Sequence, residues 1–215
     1  MIHINKGNPI PEFVECIEKE NPENWEAFHK SRKYPNISNL CKQHIFEHEQ
    51  NMLGGYTERP LSNSISLHID HFRKKGLNWP SSVAFDWNNF IVEDRNVNFG
   101  ACYKDDLTKS IDDYRWLLDP VVDYPEQLMD YLANGEIKAR SGIAQEYVDK
   151  VNFTIDRFNL NHEFLVRKRY DIIQLVLEGY SQFSDEDVKT YMKEQGFPSV
   201  VDWALSIRKE IPLSE

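Results

Sequence analysis

His68-Ile69-Asp70-His71-Phe72-Arg73-Lys74-Lys75 is the stretch on which the reading of the fold turns. Ile65, Leu67 and Ile69 alternate with Ser64, Ser66 and His68 on the way into it, the period-two pattern of a strand with one buried face. An Asp-His step ends that pattern, and three cations follow. The chain must loop between Gly76 and Pro80. Phe85, Trp87, Phe90 and Ile91 then predict a second strand within residues 83–92, and an Asn- and Gly-rich loop over residues 96–100 leads into a helix through Leu107, Ile111 and Trp116. Strand, loop, strand and helix are therefore expected over residues 59–120.

Outward from this module the pattern is helical. Upstream, Ile37, Leu40, Cys41, His44, Ile45 and His48 share one face at three-four spacing, and Gly54-Gly55 breaks the helix before Arg59-Pro60. Downstream, Asp119-Pro120 and Tyr124-Pro125 punctuate the chain. Tyr147, Val151 and Ile155 form one stripe, and Leu165, Tyr170, Ile173 and Leu177 another. Ser184 followed by Asp185-Glu186-Asp187 has the form of a helix N-cap with acids in the first turn. Gly196 and Pro198 precede a last helix carrying Val200, Trp203, Ala204 and Ile207. The expected fold class is α+β, a mostly helical chain with a central two-strand-and-helix module. Its regions are an N-terminal helical part (1–58), the module (59–120) and a C-terminal helical part (121–215).

The Asp-His step carries the chemistry. The carboxylate of Asp70 is a hard oxygen ligand suited to Mg²⁺ or Mn²⁺. The imidazole of His71 titrates near neutrality and can take a proton from an attacking water. Neighbouring strand residues point to opposite faces, so the strand has to bend here if both are to serve one site. The same pleat puts His68 on the face of Asp70, as an accessory ligand or phosphate contact. A bare Asp-His pair is a weak signal, and its surroundings give it weight: Asp86-Trp87-Asn88-Asn89-Phe90, then Asn98, Lys104 and Asp105. His3, His29, His44, His48 and His162 have no spacing that sets them apart from surface or core histidines.

Composition narrows the functional classes. Of 215 residues, 40% are hydrophobic and 13% aromatic, which is enough for a core and argues against disorder. There is no apolar run long enough to span a membrane, and the N-terminal residues have no secretory signal pattern, so a cytoplasmic location is expected. Cys16, Cys41 and Cys102 are too far apart for a CxxC pair and read as buried free thiols. The net charge of −10 argues against tight, unaided binding of nucleic acid, which draws its affinity from cations on phosphates. Arg73-Lys74-Lys75 is the basic run near the proposed chemistry, and a partner would have to supply further positive surface.

Several segments together carry a family resemblance. They are Ile4-Asn5-Lys6, Glu49-Gln50, His68 to Phe72 with Arg73 to Lys75, Trp87 with Asn89 and Phe90, Asp119-Pro120, Tyr131 with Gly135, and Phe158-Asn159-Leu160-Asn161 with Arg167 or Arg169 beyond. Along nearly its whole length the chain resembles the HNH endonucleases of the ββα-metal group, in particular the nuclease subunit of Septu-type and retron-associated anti-phage systems. The resemblance implies His71 as general base, Asp70 as metal ligand, and Asn89 holding the loop that orients His71, with His68 beside them. It implies a third metal ligand at the start of the helix, Asn98 or else Asp105. Arg73, Lys74, Lys75 and Lys104 would contact nucleic acid, expected to be DNA. An ATPase subunit would be the partner.

Many relatives of that kind hold a structural zinc in two CxxC knuckles. Here Gly54 and Thr57 stand where the first pair would be, and residues 93–98 contain no Cys. A four-thiolate zinc site is therefore not expected, and local hydrophobic packing is expected to take its place. Cys41-x-x-His44 lies on a helix face and reads as core packing. Two rival readings remain: an HNH-derived adaptor without catalysis, and a toxin-type nuclease.

Overall fold

A computed structural model of the chain describes residues 1–61 and 67–209. Ser64, Ile65 and Ser66 of the expected strand lie outside the described residues. The N-terminal part holds three helices: α1 (Pro11–Glu20), α2 (Trp25–His29) and α3 (Ile37–His44). Pro11 opens α1 and a left-handed Asn21 ends it; the Asn24 side chain caps α2 by accepting from the Ala27 N–H. α3 runs on into a π-helical turn, Ile45–Glu49. Its buried stripe is Ile37, Cys41, Ile45 and Phe46, while Leu40 and His48 of the expected face are exposed.

The chain next turns sharply through Gly54-Gly55. A Cβ on Gly54 would lie 2.4 Å from Oε1 of Glu93, and one on Gly55 would lie 2.3 Å from Cγ2 of Ile91. This close approach to the neighbouring strand is what requires glycine. Strand β1 (Leu67–His71) pairs antiparallel with β2 (Phe90–Asp94), in register from Leu67 opposite Asp94 to His71 opposite Phe90. The expected second strand is shorter than its hydrophobic run. Ser81–Phe85 and Trp87–Asn89 are 3₁₀ turns, and extended pairing starts only at Phe90.

Helix α4 (Ala101–Leu107) follows and stops at an extended Thr108. Ile111–Trp116 forms a separate 3₁₀ turn, because Ser110 and Asp113 make a reciprocal capping box that restarts the chain. A single helix through Trp116 is thus not formed. Short helix α5 (Pro125–Leu128) leads into a hairpin absent from the sequence reading, β3 (Met129–Tyr131) against β4 (Ile137–Ala139). Three-residue strands are too short for an alternation to register. Four helices complete the chain: α6 (Gln145–Phe158), α7 (Glu163–Gln174) with a π-helical turn at Leu175–Gly179, α8 (Asp185–Met192) and α9 (Pro198–Arg208). Ser184 caps α8 by accepting from the Asp187 N–H, as expected. The class is α+β, with helices around two small antiparallel sheets.

The β1–β2 hairpin separates two cores. Leu67, Phe90 and Val92 pack on one side with Phe13, Phe28, Cys41 and Phe46 of the N-terminal helices. Phe72 and Ile91 join Tyr56, Phe99, Phe158 and the C-terminal helices on the other. Arg169 is buried among these apolar groups and is satisfied by the carbonyls of Gly135 and Leu160, which tie the β3–β4 turn to α7. Cys16 and Cys41 are buried free thiols and Cys102 is half-buried. No helix among the described residues is long and apolar enough to cross a membrane.

Candidate functional site

Both members of the Asp70-His71 step are regularly paired, opposite Ile91 and Phe90. The strand does not bend here. The two side chains therefore leave on opposite faces, Asp70 towards α4 and His71 towards α2.

On the α4 face Asp70 is buried and fully engaged. Its Oδ2 accepts from Nζ of Lys104 at 2.6 Å and from the hydroxyl of Tyr56 at 2.5 Å. The Lys104 ammonium has no exposed surface, and it also donates to the backbone carbonyls of His71 and Phe72, each at 3.1 Å. Oδ1 of Asp105 stands 3.1 Å from the same nitrogen. Burial alone would lower the Lys104 pKa, but the charges of Asp70 and Asp105 outweigh it and hold it above the ordinary lysine value. Burial, and then Asp70, push the Tyr56 hydroxyl well above the usual range, so it stays a donor. Lys104 is thus an internal cation and not the nucleic-acid contact that was expected, because α4 turns it into the core. A hint lies in the sequence: Ala101, Lys104 and Thr108 share the buried face of this short helix.

On the other face, the ring of His71 lies edge-on to Trp25 with centroids 4.6 Å apart, and edge-on to Phe90 at 5.0 Å. Its Nε2 is 3.1 Å from the carbonyl oxygen of Ala84. A carbonyl only accepts, so Nε2 carries the proton, and a neutral ring keeps its lone pair on Nδ1. Burial, followed by the nearby charge of Lys75, lowers the His71 pKa to about 4. The ring is neutral at physiological pH, which is the state a proton acceptor needs. It is also covered by Trp25.

Asn89 holds the intervening loop closed. Its Oδ1 accepts from the Arg73 N–H at 2.7 Å, and its Nδ2 donates to the carbonyls of Val83 at 3.0 Å and Arg73 at 3.3 Å. Val83 adjoins Ala84, so the side chain of Asn89 holds the carbonyl next in the chain to the one that His71 bonds. His68 is half-buried with Nδ1 lacking a partner among the described residues, and burial lowers its pKa. Asn98 is exposed, its backbone bonded to Asn96 and Asn159, and it has no place in the Asp70 cluster. It lies in the loop before α4, on the solvent side. Asp105 does reach the cluster, and its buried Oδ1 makes no hydrogen bond. Burial raises its pKa. Lys74 donates to the Asp105 carbonyl, Lys75 stands 4.9 Å over the ring of Trp25, and Arg73 is 3.9 Å from Asp86.

These positions bear on a divalent ion in two ways. Asp70, Asp105 and two backbone carbonyls are hard oxygen donors directed at one point, where Asp105 Oδ1 is ion-paired with the ammonium at 3.1 Å. That donor chemistry fits Mg²⁺ or Mn²⁺. The same point, however, is where the ammonium of Lys104 sits. Among the described residues no group of three or more His, Cys, Asp or Glu side chains gathers at any one place.

Where the CxxC positions of the resembled family would lie, the structure departs from the hydrophobic packing expected. The fully buried carboxylate of Glu93 accepts from the N–H groups of Tyr56 at 3.2 Å and Thr57 at 3.3 Å, and from Thr57 Oγ1. Gly54 leaves it room. Burial, then the charge of Asp94, raises the Glu93 pKa to about 7. Polar cross-linking by one side chain thus holds this turn to β2. No family model matches the chain, and no curated protein matches it.

Proposed function

We propose that this chain is an HNH-type nuclease subunit of the ββα-metal kind, hydrolysing phosphodiester bonds in nucleic acid, most readily DNA. One observation carries the reading: His71, next to Asp70 at the end of a strand, is held by the carbonyl of Ala84 in a loop that the Asn89 side chain closes through Val83 and Arg73. Nδ1 of His71 would accept the proton of the attacking water, and the Nε2–H bond to Ala84 would keep the ring aligned. Asp70 and Asp105 would hold a Mg²⁺ or Mn²⁺ ion, which when bound stabilises charge on a phosphate. Lys104 holds that position in the isolated chain and the unbent strand keeps Asp70 and His71 on opposite faces, so the subunit is closed until Lys104 gives way and the strand bends at this step. An ATPase subunit, which the family resemblance suggests as partner, would open it and supply positive surface that a chain of charge −10 lacks.

The Lys104–Asp70 pair also favours a second reading: an HNH-derived adaptor in which an ammonium has replaced the metal for good. Plasmid and single-strand cleavage assays separate the two, with Mg²⁺ or Mn²⁺ and with the partner co-purified. Metal-dependent cleavage that disappears in His71→Ala supports the nuclease. Assembly with the partner but no cleavage of DNA or RNA under any of these conditions refutes it in favour of the adaptor.

A further inference from the structure

Two hollows meet at Trp25. The larger, about 730 Å³, lies between α2, α3 and β1 and is lined by Lys42, His68 and Arg95. The smaller, about 220 Å³, lies against the loop after β1 and is lined by Arg73, Trp79 and Ala84. Asn24, Trp25 and Lys75 line both, so the two hollows adjoin along these residues as one track.

The track reverses the sign of the molecule. Lys42, Arg95, Lys75 and Arg73 face it against the carboxylates of Glu23 and Glu26, and Glu26 is already paired with Lys30. Lys42 comes from α3, Arg95 from beyond β2, and Arg73 and Lys75 from the loop, so only folding assembles the group. Two buried nitrogens in the lining, Nε1 of Trp79 and Nδ1 of His68, have no hydrogen-bond partner among the described residues. An indole N–H can only donate, and leaving it buried without an acceptor is costly. A ligand rich in anionic oxygen would answer both the charge and the orphan donor. The track also runs to the proposed catalytic histidine: Trp25 packs on the His71 ring, and Ala84 of the lining takes its Nε2–H.

We propose that this track holds the phosphodiester backbone of a single-stranded nucleic acid, with phosphates on Lys42, Arg95, Lys75 and Arg73 and an oxygen accepting from Trp79. Preference for nucleic acid over an acidic peptide rests on the nuclease reading above. Preference for a single strand rests on the size of the hollows, which suits a small ligand and not a duplex.

The test is fluorescence anisotropy of a labelled 20-mer on the full chain in EDTA, where cleavage cannot interfere. Wild type should bind the single strand with Kd on the order of 10⁻⁶–10⁻⁴ M, in a salt-dependent way. The double variant Lys42→Glu/Arg95→Glu should bind at least tenfold more weakly. Lys42→Gln/Arg95→Gln, which only neutralises the pair, should lower the slope of log K against log salt by about 1.4, two phosphate contacts at about 0.7 each. The Gln pair also decides the matter if the Glu pair fails to fold by circular dichroism. Unchanged binding in a folded variant, equal affinity for the duplex, or tighter binding of polyglutamate would each overturn the proposal. Binding by the chain in EDTA, with no cleavage in Mg²⁺ by the complex with its co-purified partner, supports the track while counting against the nuclease reading, so the two fail separately.

Discussion

Nζ of Lys104 lies 2.6 Å from Oδ2 of Asp70, and both groups are buried, so an internal ammonium occupies the point to which the oxygen donors of this face are directed. Breaking a buried pair by removing one partner costs about 3–5 kcal/mol, because the other charge is left uncompensated. Asp70→Asn and Lys104→Met should each lower stability by that amount in urea denaturation. The double variant should recover most of it, since removing both charges is often close to neutral. Additive losses would mean that the two residues act independently.

The same pair decides metal linkage. Mn²⁺ at millimolar concentration should leave the Tm of the isolated wild type unchanged, because Lys104 competes for Asp70. In Lys104→Ala it should raise the Tm as the ion takes the vacated place between Asp70 and Asp105, by the linkage of binding to folding. A thermal scan with and without Mn²⁺ reads both. Equal shifts in the two proteins would show that the ion binds elsewhere.

Glu93 and His71 should make opposing contributions to the pH dependence of stability. Glu93 moves from 4.5 to about 7 on folding. Near pH 5.5 the folded state therefore holds a proton that the unfolded state has lost, and this contribution is full below 4.5 and lost as pH rises through 7. His71 moves from 6.5 to about 4. Here the unfolded state holds the extra proton, so the contribution is full above 6.5 and lost as pH falls through 4. Each is worth about 3 kcal/mol, and the two nearly cancel. Glu93→Gln should unmask a stability that rises with pH between 4 and 6.5, and His71→Asn one that falls between 4.5 and 7. Chemical denaturation at four pH values tests both signs.

In the nuclease reading, His71→Ala should reduce cleavage by about 10²–10⁴-fold, the usual cost of removing a general base. It will not be silent for the fold. The ring is buried against Trp25 and Phe90, and its loss leaves the Ala84 carbonyl without its donor, a cost of about 1–3 kcal/mol. Cleavage has to be measured below the melting temperature of the variant. Activity within threefold of wild type would remove His71 from the chemistry.

Asn89→Ala deletes three hydrogen bonds that close the loop after β1. Amide exchange at Arg73 should accelerate strongly, with little change in the helices of the C-terminal core. Asn89→Asp keeps the acceptor for Arg73 N–H but not the donors, so its effect should be intermediate. Unchanged exchange in both would mean that the loop is held by its apolar contacts.

Much of this arrangement was legible from the residues alone. The period-two pattern that Leu67 and Ile69 continue placed β1, the Ser184 cap placed α8, and the break at Gly196 fell where a helical turn stops, because these are local signals in φ, ψ and side-chain capping. The limits of β2 and α4 were not legible, since Val83 to Trp87 is as apolar as a strand but is spent in 3₁₀ turns that Asn89 and Asp86 stabilise.

The sequence by itself determined the α+β class and the position of the Asp70-His71 step in the chain. Tertiary structure alone decided what each charge does. Lys104 and Arg73 are both cations that the fold brings near the Asp70-His71 step, yet one is a buried partner of Asp70 and the other faces an open track. Lys42 and Arg95, 53 residues apart in the numbering, meet on that track. The reason is physical: the charge of a side chain is fixed by its chemistry, but its cost and its use depend on burial and on which oppositely charged group the fold brings within a few ångströms.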